Sequence, residues 1–209
     1  MSSYSRFRDW QSEGIGESIF LNAKQQVEDL VGKINPRVTV QLEGRSMLEG
    51  LPKDGVYYHV SEDANIDSRG WTVEAEQGFL PFRDQSVDLV ILNHTVELYQ
   101  EARALFKEVE RVLSPEGKVF MVVLVDRWLG AKIATKYYPL GNIRIQPQSL
   151  RKIKQYLGEN ELGIWEQCSL MSDPQAVMMS QRLKETLIYP MGLEIARVSV
   201  EWNNAVGAL

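Results

Sequence analysis

Hydrophobic positions along the chain switch between helical and extended spacing. Between residues 18 and 34, Phe20, Ala23, Val27, Leu30, Val31 and Ile34 recur every three or four residues. That is one apolar helix face, and Pro36 follows its end. Val38, Val40 and Leu42 alternate with polar residues and predict a strand over 38–42. Further strands are predicted at 55–60 (GVYYHV), 71–76 (WTVEAE) and 87–93 (VDLVILN). The last is apolar enough to be buried on both faces. Residues 100–113 place Ala102, Leu105, Phe106, Val109, Val112 and Leu113 on one side, which is the clearest helix in the chain. Ser114-Pro115-Glu116-Gly117 is expected to stop that helix before a fifth buried strand, KVFMVVLV. Strand, helix and strand at this spacing form a parallel crossover of right hand. A helix over 149–157 and strands over 163–170 and 193–202 complete the pattern. In the last strand Ala196, Val198, Val200 and Trp202 alternate with polar residues, as in a half-exposed antiparallel strand.

No repeat or Gly/Ser/Pro linker interrupts this order, so the 209 residues are read as one α/β domain with an N-terminal helical segment at 1–36. A net charge of -5 argues against nucleic-acid binding by bulk electrostatics. Cys168 is the only cysteine, so there is no internal disulfide and too little thiolate for a structural zinc site. The first 14 residues lack the apolar core of a secretory signal, and the longest strongly apolar run, VFMVVLV, is too short to span a bilayer. A cytoplasmic location is the expectation.

Residues 79–124 carry an ordered set of short motifs: Leu80-Pro81-Phe82, Ser86-Val87-Asp88, Asn93-His94 with Glu97, Glu108-Val109-Glu110-Arg111-Val112-Leu113, and Ser114-Pro115-Glu116-Gly117. This run resembles the second half of the class I S-adenosylmethionine-dependent methyltransferase domain, in its type 11 subgroup. The resemblance implies a Rossmann-like α/β fold: a seven-stranded, mostly parallel sheet with helices on both faces and an antiparallel last strand. The cofactor, S-adenosylmethionine, would lie across the carboxyl ends of the first four strands, where open α/β sheets hold their ligands.

In that frame the turn after the first strand, LEGRSMLEG, takes the place of the cofactor loop. Gly44 stands at the first glycine of the family pattern, Ser46 at the second and Leu48 at the third. The usual acid position falls on Leu42, with Glu43 displaced by one residue and expected on the opposite strand face. Only residues 43–55 separate the first two strands, so the crossover helix is expected to shrink to about a turn. The resemblance further implies Glu62, with Asp63 next, for the ribose hydroxyls. It implies Glu76, preceded by Ala75, for the adenine amino group, and Asn93 and His94 near the methionine end. His94 is the catalytic candidate, as a base or acceptor contact, against a packing role. No metal is expected, since His59 is the only other histidine.

The segments 126–147, rich in Arg, Lys and aromatic residues, and 171–192 are candidates to cover a substrate or a protein partner. Two functions follow: a methyltransferase acting on a small-molecule or lipid-like acceptor, or a non-catalytic protein of the same fold serving as scaffold or partner subunit. A nicotinamide-dependent oxidoreductase is set aside for want of a Gly-x-Gly-x-x-Gly turn.

Overall fold

The computed structural model describes residues 3–49, 54–62, 70–76, 78–99, 101–126, 150–160, 162–169 and 191–200. Two helices come first, α1 (Ser3–Trp10) and α2 (Gly14–Ile34). They are followed by strands β1 (Val38–Leu42), β2 (Val56–Ser61), β3 (Trp71–Glu74) and β4 (Val87–Asn93). Then come the short α3 (Thr95–Leu98), α4 (Ala102–Val112), β5 (Leu113–Asp126), α5 (Leu150–Glu159), β6 (Leu162–Ser169) and β7 (Met191–Val200). The candidate covering segments 126–147 and 171–192 fall almost wholly outside the described residues.

Five strands run parallel in the order β3-β2-β1-β4-β5. β7 pairs antiparallel with β5, and β6 with β7. Strand order reverses between β1 and β4, which makes the carboxyl ends of these two strands the topological switch point.

The two-residue period of the strands divides the core into two layers. Val40, Leu42, Val60, Val90, Leu92, Val119, Met121 and Val123 pack with Leu105, Phe106, Val109 and Val112 of α4 and Ile153 and Leu157 of α5. On the other face, Leu89, Ile91, Phe120 and Val122 meet Phe7 and Trp10 of α1 and Phe20, Ala23, Val27 and Leu30 of α2. β4 contributes to both layers, as its unbroken apolar run predicts.

Two local expectations change. Val112 is the last residue of α4, and Leu113 is already extended (φ −71°, ψ 130°), so the Ser-Pro-Glu-Gly stretch belongs to the start of β5. The parallel register with β4 jumps between Val87 and Leu89 to absorb it. The first crossover has no helical turn among its described residues 43–49. Instead Met47 and Leu48 insert directly into the α2 layer, both buried, and take the place of an apolar helix face.

The family-like motifs have local physical reasons. Arg111 Nη2 donates to the Leu80 carbonyl (3.0 Å) and Nη1 to that of Phe82 (2.9 Å), while the Leu80 N–H donates to Glu108 (3.0 Å). One helical turn of α4 thereby fixes the Leu-Pro-Phe turn. Arg111 in turn holds the Glu108 carboxyl below its usual range. Asp88 receives the backbone N–H groups of Arg37 and Val38 and so ties down the start of β1.

Candidate functional site

β1 ends in a turn whose shape is set from beneath. Gln41, buried in the strand, uses its whole amide: Nε2 donates to the carbonyls of Glu43 (2.9 Å) and Arg45 (2.8 Å). Its Oε1 accepts from the Met47 N–H (2.9 Å) and the Tyr57 hydroxyl (2.6 Å). Four hydrogen bonds from one side chain replace the conformational control that a glycine series would exert.

Glu43 adopts a left-handed backbone (φ 53°), which ends the strand alternation, so the expected opposite-face placement no longer applies. Its buried carboxylate accepts from Ser61 Oγ (2.9 Å) and from the Glu62 N–H (2.8 Å), fixing the end of β2. Gly44 is also left-handed (φ 71°), and a Cβ there would lie 2.6 Å from Asn93 Nδ2. Glycine at this position therefore admits Asn93. Ser46 turns inward, donating to the Leu48 carbonyl (3.2 Å) and meeting the Tyr57 hydroxyl (3.2 Å).

Asn93 is fully buried at the end of β4. Its Oδ1 accepts from Gln11 Nε2 (3.0 Å) and its Nδ2 donates to the Arg45 carbonyl (3.3 Å). Gln11, just past α1, also accepts the Arg45 N–H at Oε1 (3.1 Å), and its carbonyl accepts from Arg45 Nη1 (3.1 Å). The Arg45 guanidinium carbon lies 4.4 Å from the centre of the Phe20 ring, a cation–π contact. The segment around Gln11 is thus locked into the switch point.

His94 follows in a left-handed conformation (φ 57°), with its N–H donated to the Val122 carbonyl (2.9 Å). Its Nδ1 lies 2.5 Å from Glu97 Oε1, and both side chains are buried. Nε2 is buried and has no hydrogen-bond partner among the described residues. The Phe7 ring centre is 4.7 Å away, and Trp10 stands edge-on at 6.3 Å. The Glu97 carboxylate suits an Nδ1–H donor, a tautomer that leaves Nε2 as the ring's acceptor.

At the other end of the edge, Glu62 and Glu76 follow β2 and β3. Burial first, and then the charge of Glu76, raises the Glu62 carboxyl above its ordinary range. Tyr99 shares this field: burial, then Glu62, Glu76 and Glu101, raises its phenol. Ala75 stays in the backbone network, its N–H donated to Ser61 (3.2 Å). The expected site residues therefore form two groups, with Glu43, Gly44, Asn93 and His94 at the switch point and Glu62 and Glu76 beyond it. Ser46 belongs to the interior of the turn.

Sequence reasoning missed Gln11, Gln41 and Tyr99 as structural members of this region, and it named Glu97 beside His94 without giving it a role. Gln41 was detectable as a polar residue inside a strand that continues into a buried turn. The role of Glu97 was detectable from its spacing of three residues from His94, but nothing in the pattern marked Gln11. Among the described residues no cluster of three metal-ligating side chains occurs, and no helix is long and apolar enough to cross a membrane.

Residues 59–121 match the family model described as a methyltransferase domain. No curated protein matches the chain. Among solved structures, geranyl diphosphate C-methyltransferase from Streptomyces coelicolor A3(2), in complex with Mg2+, geranyl diphosphate and S-adenosyl-L-homocysteine, superposes with a TM-score of 0.61 at 12% identity. The match covers 85% of this chain and 80% of that one. A geranyl diphosphate methyltransferase in complex with SAM gives 0.64 at 14% identity, covering 85% of each chain. A chain from the complex containing the Haloferax volcanii Trm112 methyltransferase activator gives 0.65 at 15% identity, covering 93% of this chain and 96% of that one. The parallel sheet, its switch point and the matched central segment together identify the chain as an α/β protein with the Rossmann-like class I S-adenosylmethionine-dependent methyltransferase fold.

Proposed function

We propose that the protein binds S-adenosylmethionine along the carboxyl edge of β1 to β4 and methylates a small-molecule or lipid-like acceptor. The observation that carries this reading is the pair Glu62 and Glu76, set just past the carboxyl ends of the paired parallel strands β2 and β3, where burial and then the charge of Glu76 raise the Glu62 carboxyl. A ribose diol and an exocyclic amine are neutral donors that such carboxylates can accept from without adding like charge. The residues at this end therefore fit the adenosyl part of the cofactor.

When bound, the cofactor supplies an electrophilic methyl group, whose transfer depends mainly on proximity and alignment. Glu62 would accept hydrogen bonds from the ribose hydroxyls and Glu76 from the adenine amino group. His94, oriented by Glu97, would accept at Nε2 a proton from an acidic acceptor. Asn93 and the turn at Gly44 and Arg45 would face the methionine end.

A second reading, a non-catalytic scaffold or partner subunit of this fold, is favoured by Gln11 and Asn93 filling the turn. Calorimetric titration with S-adenosylmethionine and S-adenosylhomocysteine separates the two. The enzyme reading expects micromolar binding, weakened about tenfold or more by Glu76→Ala, the scale of a hydrogen bond to a charged group. Absence of binding by the folded protein would reject it and direct the search to protein partners.

A further inference from the structure

The most unusual ligand-like arrangement on the carboxyl edge is made by the protein itself. Gln11 is buried, and its side-chain oxygen takes a backbone N–H from the first-glycine turn while its nitrogen donates to Asn93. One acceptor and one donor, a few ångströms apart, are also what the α-amino-acid end of a ligand presents through its carboxylate and ammonium groups. Arg45, beside this position, keeps its guanidinium on the Gln11 carbonyl and the Phe20 ring, where a carboxylate would offer it a stronger partner.

We propose that Gln11 is an internal competitor for the amino-acid end of the cofactor, and that α1 with residues 11–12 is a gate that must withdraw before this end can bind. The inference rests on the methyltransferase reading above and adds regulation to the same site. α1 is built for such a role: Phe7 and Trp10 hold it in the α2 layer and over His94, so one movement would uncover the turn and the imidazole together. A site whose competent state is a minority population binds more weakly in proportion to that population. Releasing Gln11 should tighten binding only for ligands that carry the amino-acid end.

The test compares wild type with Gln11→Met, which keeps side-chain volume and removes the amide. Each is titrated with S-adenosylhomocysteine and with 5′-methylthioadenosine, which lacks the amino-acid end. The expected result is about tenfold tighter binding of S-adenosylhomocysteine by the variant, a change comparable to the loss of one or two hydrogen bonds, with 5′-methylthioadenosine unchanged. An unchanged or weaker S-adenosylhomocysteine affinity, or equal tightening of both ligands, overturns the competition. Failure of both ligands to bind either protein removes the cofactor reading itself. Hydrogen exchange on the wild type gives a separate answer: amides of residues 3–12 should exchange faster with S-adenosylhomocysteine present. Slower exchange there would mean a lid that closes on the ligand, the opposite of a displaced plug. Should Gln11→Met fail to fold, this measurement decides alone.

Discussion

His59 gives a pH test of the buried polar layer beneath the turn. It lies on β2 with no exposed surface, Nε2 3.1 Å from the Glu43 carbonyl and Nδ1 without a hydrogen-bond partner among the described residues. Burial pushes its pKa down to about 4, the Glu43 carbonyl acts in the opposite sense, and the charge of Arg8 adds to the depression. A histidine depressed in the fold is neutral there while the unfolded chain takes up a proton near pH 6.5. The unfolded state thus binds more protons between pH 6.5 and about 4, so stability is complete above this window and falls as pH drops through it. The depression is worth roughly 3 kcal/mol by pH 4. Urea unfolding of wild type and His59→Gln, in steps from pH 8 to pH 4, isolates it, because carboxylates common to both proteins cancel in the difference. Glutamine can still donate to the Glu43 carbonyl but does not titrate. The wild-type advantage over the variant should shrink by about 3 kcal/mol across the window. A difference that stays flat would refute the reasoning and mean that His59 takes up its proton as readily in the fold as in the unfolded chain.

The turn offers two further tests. Gln41→Leu leaves the Met47 N–H and the Tyr57 hydroxyl without their acceptor and should cost roughly 2–4 kcal/mol in urea unfolding. Faster amide exchange should be confined to residues 43–47, and a loss under 1 kcal/mol would show that the turn holds its shape by other means. Gly44→Ala meets both a left-handed backbone and the Asn93 amide at 2.6 Å. It should destabilise by about 1–3 kcal/mol, read as a lower thermal midpoint, and a neutral result would show that Asn93 moves aside freely.

Much of the frame was legible because the sheet is buried on both sides. Val87–Asn93 has the apolar continuity of a central strand, and α4 shows its period from Ala102 to Val112. Boundaries were less legible where one residue serves two elements. Leu113 reads as the last apolar position of a helix, yet its extended backbone starts β5. The position of Glu76 after β3 was legible from its distance to Leu80-Pro81-Phe82, a turn held by Arg111. The switch point could not be read in this way. Its key contact joins residues 11 and 93, and no local periodicity encodes a hydrogen bond between groups 82 positions apart. The reach of Glu43 back to β2 was equally hidden, because the left-handed turn that redirects it depends on Gln41 from below.

That separation also orders events during synthesis. At about 5–20 residues per second, on the order of 4–16 s pass between the polymerisation of Gln11 and that of Asn93. Phe120 and Val122, which complete the layer receiving Phe7 and Trp10, are made later still. The first helix is therefore made with only α2 to receive its two large aromatic side chains, since the sheet face they also cover does not yet exist. Its full seating requires β4 and β5, so it completes this half of the molecule only after they are made.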